Sequence, residues 1–368
     1  MSGDASLSGG TMAEWPNASA LKAEASQGAG GSNPSRSARD IPTNKPKAPA
    51  SHRPGRVGIE DRDHAALTCG MTSDSRDAAV DWLEVARRNA RSVQTTIGWI
   101  FWDPGAGRRY QDAGMPEAFA GPLGYIASRC APLAGAGASA VVASFGSISP
   151  AGISAVFQFL GTPERFGDIW AARDAAVVEG LREHAPDIIE PLTEMAAELW
   201  AVVDQLPLVG RVFFGAHLAM PRPTDPLLSG WHAVNCLREW RGDTHWALVV
   251  AEGLTHAEAS ILHNAWLGYE PDWLAKSRGT SPADIDSGWA ALNARGLADG
   301  HTVLPAGLAL RQQIEDATDR FCIPMWQALG LERSIEFAER FEPPCELLLS
   351  RVDETAGKNY QPASRIRQ

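Results

Sequence analysis

Several things are scarce in this 368-residue chain, and each scarcity excludes a class of protein. There are five cysteines, Cys69, Cys130, Cys236, Cys322 and Cys345, far apart and never in a CxxC pair. Such a scattered, odd set excludes a disulfide framework or tandem zinc knuckles and reads as reduced thiols. No run approaches the ~18 apolar residues that a membrane-crossing helix needs. Residues 1–20 lack the apolar core of a signal peptide. These absences point to a cytoplasmic protein with no membrane partner. The chain has no HExxH, no GxSxG and no phosphate-loop motif. No cofactor is specified by its residues, and no resident metal is expected. Strand alternation is missing before residue 220, so the N-terminal half reads as mostly α.

What is present is ordinary in bulk and uneven along the chain. Hydrophobic residues make up 44% and charged residues 21%, as in a soluble globular protein, and net charge is −11. The length allows two domains or one large one. Residues 1–70 are rich in Gly, Ser, Ala and Pro with no sustained apolar period, so they read as a disordered tail. Met71 opens an amphipathic segment, and translation starting there is one explanation of that tail. A helical domain is expected over 71–225. Its first helix spans Asp74 to Trp102, capped by Ser73 or Asp74 and broken by Asp103-Pro104-Gly105. The Gly- and Ala-rich run from Arg129 to Pro150 reads as close helix packing, and Ser149-Pro150 starts another helix.

The densest chemistry lies between Trp231 and Trp246. Asp225 and Pro226 start a long helix there, and Gly253 stops it. Helical spacing puts Ala233, Leu237, Trp240, Ala247 and Leu248 on a core face. His232, Cys236, Glu239 and Asp243 follow at steps of four, three and four and share one stripe. Arg238, Arg241 and His245 border the apolar face. The stripe holds metal-ligand types, but four groups along three turns of one helix cannot converge on one ion. The simpler expectation is that Glu239 and Asp243 pair with nearby arginines while the histidines hydrogen-bond. The sharper one is a ligand site in which Arg129, Arg238 and Arg241 hold an anion. His232 or His245 then acts as acid, base or axial ligand, oriented by Glu239 or Asp243.

Beyond this helix, Thr255 and Glu258 form a capping box, with a helix to about Leu267. A short helix follows over Asp272 to Lys276. Ser281-Pro282 starts a third, which ends at Arg295-Gly296-Leu297. A hairpin turning at Asp299-Gly300 spans Leu297 to Leu304. Pro305 opens a long helix to about Phe321, and a last helix covers Leu331 to Phe341. Residues 346–368 read as a frayed C-terminus.

Helix, short helix, helix, hairpin and long helix is the order of a winged helix-turn-helix. Residues 226–345 resemble a central helix joined to a MarR-like module, with LPAG at Leu304 to Gly307 where that family has L-T-x-x-G. More specifically, residues from about 85 to 342 resemble an uncharacterised actinobacterial helix-turn-helix family. The matching pieces are SRCAPL, SFGSISP, WHAVNCLREWRGDTHWALVVAEGL and ARGLADG. The fold class implied is mainly α: a helical N-terminal domain plus a winged helix-turn-helix with a small β-hairpin wing. The function implied is a ligand-responsive transcriptional regulator, as a homodimer, with its effector site between the N-terminal helices and the central helix. DNA contacts then fall to Lys276, Arg278, Ser281 and Arg295. Electrostatics disfavours DNA, because residues 255–320 hold nine acidic against five basic residues and the wing has no Lys or Arg. The alternative is a small-molecule- or cofactor-binding protein or enzyme on a winged-helix scaffold that does not bind DNA, with its site around His232 to His245.

Overall fold

The computed structural model describes residues 80–356. The expectations for residues 1–70, for a start at Met71 and for a cap at Ser73 or Asp74 fall outside that range, but the helix expected from Asp74 to Trp102 does not run through Val80 and Asp81, which are not helical. Helix α1 (Trp82–Gly98) begins where the Asp81 carboxylate accepts from Leu83 N and Glu84 N, both at 3.1 Å, and tightens into a 3-10 turn at Trp99–Trp102. Asp103 caps α2 (Pro104–Asp112), accepting from Ala106 N at 2.9 Å. Helices α3 (Ala120–Cys130), α4 (Ala138–Ser144), α5 (Pro150–Leu160), α6 (Pro163–His184), α7 (Ile189–Val203) and α8 (Val212–Leu218) complete this half. It contains no strand among the described residues, as the missing alternation implied. The Gly-Ala run matches expectation only in part: a side chain on Gly135 or Gly137 would meet nothing within 4 Å, whereas a Cβ on Gly146 would lie 2.3 Å from the Trp246 ring.

Helix α9 (Pro226–Ala251) is the axis of the molecule. The Asp225 carboxylate accepts from Leu228 N at 2.9 Å and Pro226 takes the first helical position, as expected. Gly253, at φ +68°, follows the last turn. The helix is not three-faced, however. Every residue from Gly230 to Trp240 is buried, while Ala247, expected inward, is exposed. The reason is that α1, α7, α8 and α13 (Pro305–Leu329) surround it. Gly230 makes the crossing with α7 possible: a Cβ there would lie 1.9 Å from the Leu192 carbonyl oxygen.

Downstream, Thr255 and Glu258 close their capping box at the start of α10 (His256–Leu267), with Thr255 N donating to Glu258 Oε2 at 2.9 Å. Helix α11 (Trp273–Ser277) and helix α12 (Pro282–Ala294), the latter capped by Ser281, follow in the expected order. Strands β1 (Ala298–Asp299) and β2 (Thr302–Val303) pair antiparallel, Ala298 opposite Val303. The turn is therefore Gly300-His301, one residue later than expected, with Gly300 at φ +57°. Two helices outrun their expected ends. Helix α13 continues past Phe321 to Leu329 across Pro324, and α14 runs over Leu331–Ala356 across Pro343 and Pro344. Buried Phe341, Cys345, Leu348, Leu349 and Val352 outweigh the hydrogen bonds those prolines remove. Residues 346–356 are thus helical and not frayed.

The apolar residues form two clusters. The larger takes in α1 to α8, α9 as far as Trp240, the far end of α13 and most of α14. The smaller gathers Val249, Leu262, Ile285, Trp289, Leu292 and Ile314 beneath the hairpin. Helices α9 and α13 belong to both. Between the clusters, from Arg241 to His245 and from Glu315 to Asp319, they carry polar and charged groups in place of core. Among the described residues no single helix is long and apolar enough to cross a membrane.

Candidate functional site

Polar groups on a helix buried on all sides must find partners, because each unpaired one costs about 1–3 kcal/mol. Those of α9 turn to three separate groups. His232 Nε2 lies 3.1 Å from both Asp174 oxygens. Arg173 Nη2 donates to Asp174 Oδ1 at 2.7 Å, and its guanidinium stands 3.6 Å over the Trp170 ring. Burial lowers the His232 pKa, and Asp174 offsets this only in part. The residue orienting His232 is therefore Asp174 on α6, and neither Glu239 nor Asp243 takes that part.

Glu239, 1% exposed, anchors the second group. Arg129 holds it through two bonds, Nε to Oε1 at 2.8 Å and Nη2 to Oε2 at 2.6 Å. Arg238 Nη1 reaches Oε1 at 2.8 Å while its other nitrogens reach Gln94 and Tyr125. Burial alone would raise the Glu239 pKa, but Arg129 and Arg238 outweigh it and hold the carboxyl well below its ordinary range. The expected pairing of Glu239 with arginine is present, so both guanidinium groups already hold a carboxylate. Asp243 instead accepts from Phe214 N at 2.8 Å, and burial pushes its pKa up to about 6. Cys236 is buried, which pushes its thiol up to about 12.

The third group spans the seam between the clusters. Arg241 pairs with Glu315 and, at 2.8 Å, with Asp319 on α13. Arg311 Nη2 reaches Glu315 at 2.7 Å, and Arg87 on α1 reaches Asp316 at 2.7 Å. His245 Nδ1 lies 3.1 Å from Thr318 Oγ1. Burial, then the Arg311 charge, pushes the His245 pKa down to about 3 and lowers that of His263 as well, so both are neutral at pH 7.

This seam is hollow. A cleft of about 620 Å³ opens there. One wall comes from the helical half: Arg87, Arg91 and Gln94 on α1, Tyr125 and Arg129 on α3, Ser147 and Ile148 on the following loop. Arg238, Arg241, His245 and Trp246 of α9 form the back. The opposite wall is His263 and Trp266 on α10, Arg278 after α11, and Arg311, Gln312, Glu315 and Asp319 on α13. The loop and α10–α12 are clasped together. Ser149 N donates to the Arg278 carbonyl at 3.0 Å and Ser149 Oγ to the Gly279 carbonyl at 2.6 Å. The His256 ring bridges Gly146 O at 2.7 Å and Thr280 Oγ1 at 2.9 Å. Gly146 lets the loop close onto Trp246, whose ring lies 2.3 Å from where a Cβ would stand.

Of the residues expected to bind a ligand, Arg129, Arg238, Arg241 and His245 come together in the cleft. Glu239 lies behind them, and His232 and Asp243 face other partners. Of the residues expected at DNA, Ser281 Oγ caps α12, accepting from Asp284 N at 3.1 Å. Arg295 is held by the Glu252 carbonyl at 3.1 Å and Glu258 at 3.8 Å. Arg278 lines the cleft, and Lys276 lies 3.8 Å from Asp272. Sequence reasoning missed Arg87, His263, Arg311, Glu315, Asp319, Trp246 and Trp266. One signal was legible: Arg311, Glu315 and Asp319 repeat every four residues, which places them on one face of α13.

A family model described as a helix-turn-helix family matches residues 86–353. No curated protein matches, and no solved structure matches.

Proposed function

The chain belongs to the helix-turn-helix family, and on that premise we propose that it is a ligand-responsive winged-helix transcriptional regulator whose effector is a small anion held in the arginine-lined cleft. In this reading α10, α11 and α12 are the helix-turn-helix, β1 and β2 the wing, and α12 the helix presented to the major groove. The observation that carries it is the position of the cleft, with α1 and α3 on one side and α10, the α11 end and α13 on the other. A ligand touching both sides has different contacts whenever those walls move apart. That difference is what biases one conformation over another. Seven of the lining side chains are arginines in a chain of net charge −11, which selects an anion. A homodimer belongs to the same reading, since it sets two copies of α12 on successive half-sites. The test is titration of DNA from upstream of the protein's own gene, over a range of salt, with and without small organic anions.

A second reading has its own observation. The exposed positions of α12 include Asp284 and Asp286, and no Lys or Arg occurs between Gly279 and Ala294. Phosphate contacts supply much of the affinity for DNA, and this surface offers few. The scaffold then serves as a small-anion-binding protein or enzyme that does not bind DNA. Absence of salt-dependent DNA binding, with anion binding retained, selects this reading.

A further inference from the structure

The anion-binding reading leaves open how an occupied cleft acts on α10–α12, and residues 145–149, between α4 and α5, address it. Phe145 anchors them in the helical half. Its ring is buried, lies 4.9 Å from that of Phe213 between centroids, and carries the Arg129 guanidinium 4.2 Å above it. Ser147 and Ile148 line the cleft, and Arg129 Nη1 donates to Ser147 Oγ at 3.2 Å. The residues flanking that pair reach across to α10–α12. The Gly146 carbonyl accepts from His256 Nδ1 at 2.7 Å. Ser149 donates twice, from N to the Arg278 carbonyl at 3.0 Å and from Oγ to the Gly279 carbonyl at 2.6 Å. The same short segment therefore touches the cleft in its middle and the helix-turn-helix at both ends. The two apolar clusters share no residue, so the seam relies on polar contacts. Such contacts have strict geometry and break over a small displacement.

We infer that residues 145–149 are a strap that couples occupancy of the cleft to the seating of α10–α12. Closed, as in this structure, the strap fixes α10–α12 against the helical half through Gly146 and Ser149. Open, it leaves them hanging from α9 and α13, the helices that flank them in the chain. Consecutive Cα atoms are held about 3.8 Å apart, so Ser147 and Ile148 cannot shift far without carrying Gly146 and Ser149 with them. A ligand seated against Ser147, Ile148 and the opposite wall favours the closed strap. By linkage a closed strap favours the ligand to the same degree. The strap is thus one element whose equilibrium both sites bias, which is what coupling between them requires. This inference rests on the cleft being a ligand site.

The experiment is hydrogen exchange of the full-length protein, read by mass spectrometry at the Ser149 amide, with amides of α9 near Leu237 as the reference for folding. The Ser149 amide donates to the Arg278 carbonyl, so its exchange reports the open strap. His256→Leu removes the contact at the other end of the strap, and Ser147→Ala removes the bond to Arg129 on the cleft side. Each is expected to speed exchange at Ser149 about tenfold, the worth of one buried hydrogen bond, with the reference amides unchanged. His256→Gln serves if the leucine variant speeds the reference amides as well. An unchanged Ser149 amide in the folded variants overturns the strap, since its contacts then break independently. Benzoate and inorganic phosphate are the anion probes, with binding followed by calorimetry. Slower exchange at Ser149 on saturating wild type with a probe that binds is the expected result. A probe that binds in the cleft without slowing it overturns the coupling. No binding of either probe, with the variants behaving as expected, overturns the small-anion reading of the cleft and leaves the strap standing.

Discussion

Glu239 is the residue on which the back wall of the cleft depends. It is the shared acceptor for Arg129 and Arg238, and removing its charge leaves two guanidinium groups buried and unmatched. Glu239→Gln should cost about 3–5 kcal/mol, read as a fall in the urea midpoint. Asp243 should behave in the opposite sense. Its folded pKa is raised by burial to about 6, against ~3.9 unfolded, so the folded form takes up a proton first as pH falls. Its contribution is fully present below about pH 4 and is lost as pH rises through about 6. Asp243→Asn keeps an acceptor for Phe214 N and should gain roughly 1–2 kcal/mol over wild type at pH 7, with little gain at pH 4. Equal effects at both pH values would contradict the assignment. At this scale the sequence was half legible. The helical stripe of His232, Cys236, Glu239 and Asp243 was real as spacing. Spacing does not say which neighbour each side chain meets, and Asp174, Phe214 and Glu315 lie far away in the chain.

The helices were more legible, because their starts are local chemistry. Asp225, Thr255 and Ser281 each cap the helix they were expected to start. Helix ends were misjudged where proline occurred, since burial of Phe341 and Leu348 is a tertiary fact that local propensity does not contain. The crossing of α9 over α7 depends on one position. Gly230→Ala places a methyl against the Leu192 carbonyl, and the two helices must separate. A loss of about 1–3 kcal/mol in thermal or urea unfolding is expected, with Gly230→Val worse than Gly230→Ala. Wild-type stability in Gly230→Ala would mean that the crossing is looser than described.

At the scale of the whole molecule, acid should act through the buried histidines. Burial pushes His217 and His256 down to about 4 and His245 down to about 3, against ~6.5 unfolded. Their contribution is present above about pH 6.5 and is lost as pH falls toward 4. Stability measured by urea unfolding should therefore drop between pH 7 and pH 5, the three histidines outweighing the single opposing Asp243. The order of short helices and hairpin over residues 255–304 was readable from its caps and glycines. The cleft was not, because Arg87, Arg129, Arg241, His263 and Arg311 are brought together only by the packing of five helices around a seam between two cores.

The central claim is that this seam governs a DNA-reading unit, and one titration tests it most directly. Labelled DNA from upstream of the protein's own gene would be titrated with full-length protein at several salt concentrations. The account predicts binding that weakens with salt, with a slope in log–log form no steeper than about −3 per protomer, because Lys276, Arg278 and Arg295 are the cations offered near α12. It also predicts that a small organic anion shifts the affinity. Binding that is absent, or that ignores both salt and the anion, would contradict the regulator reading and leave the anion-binding scaffold in its place.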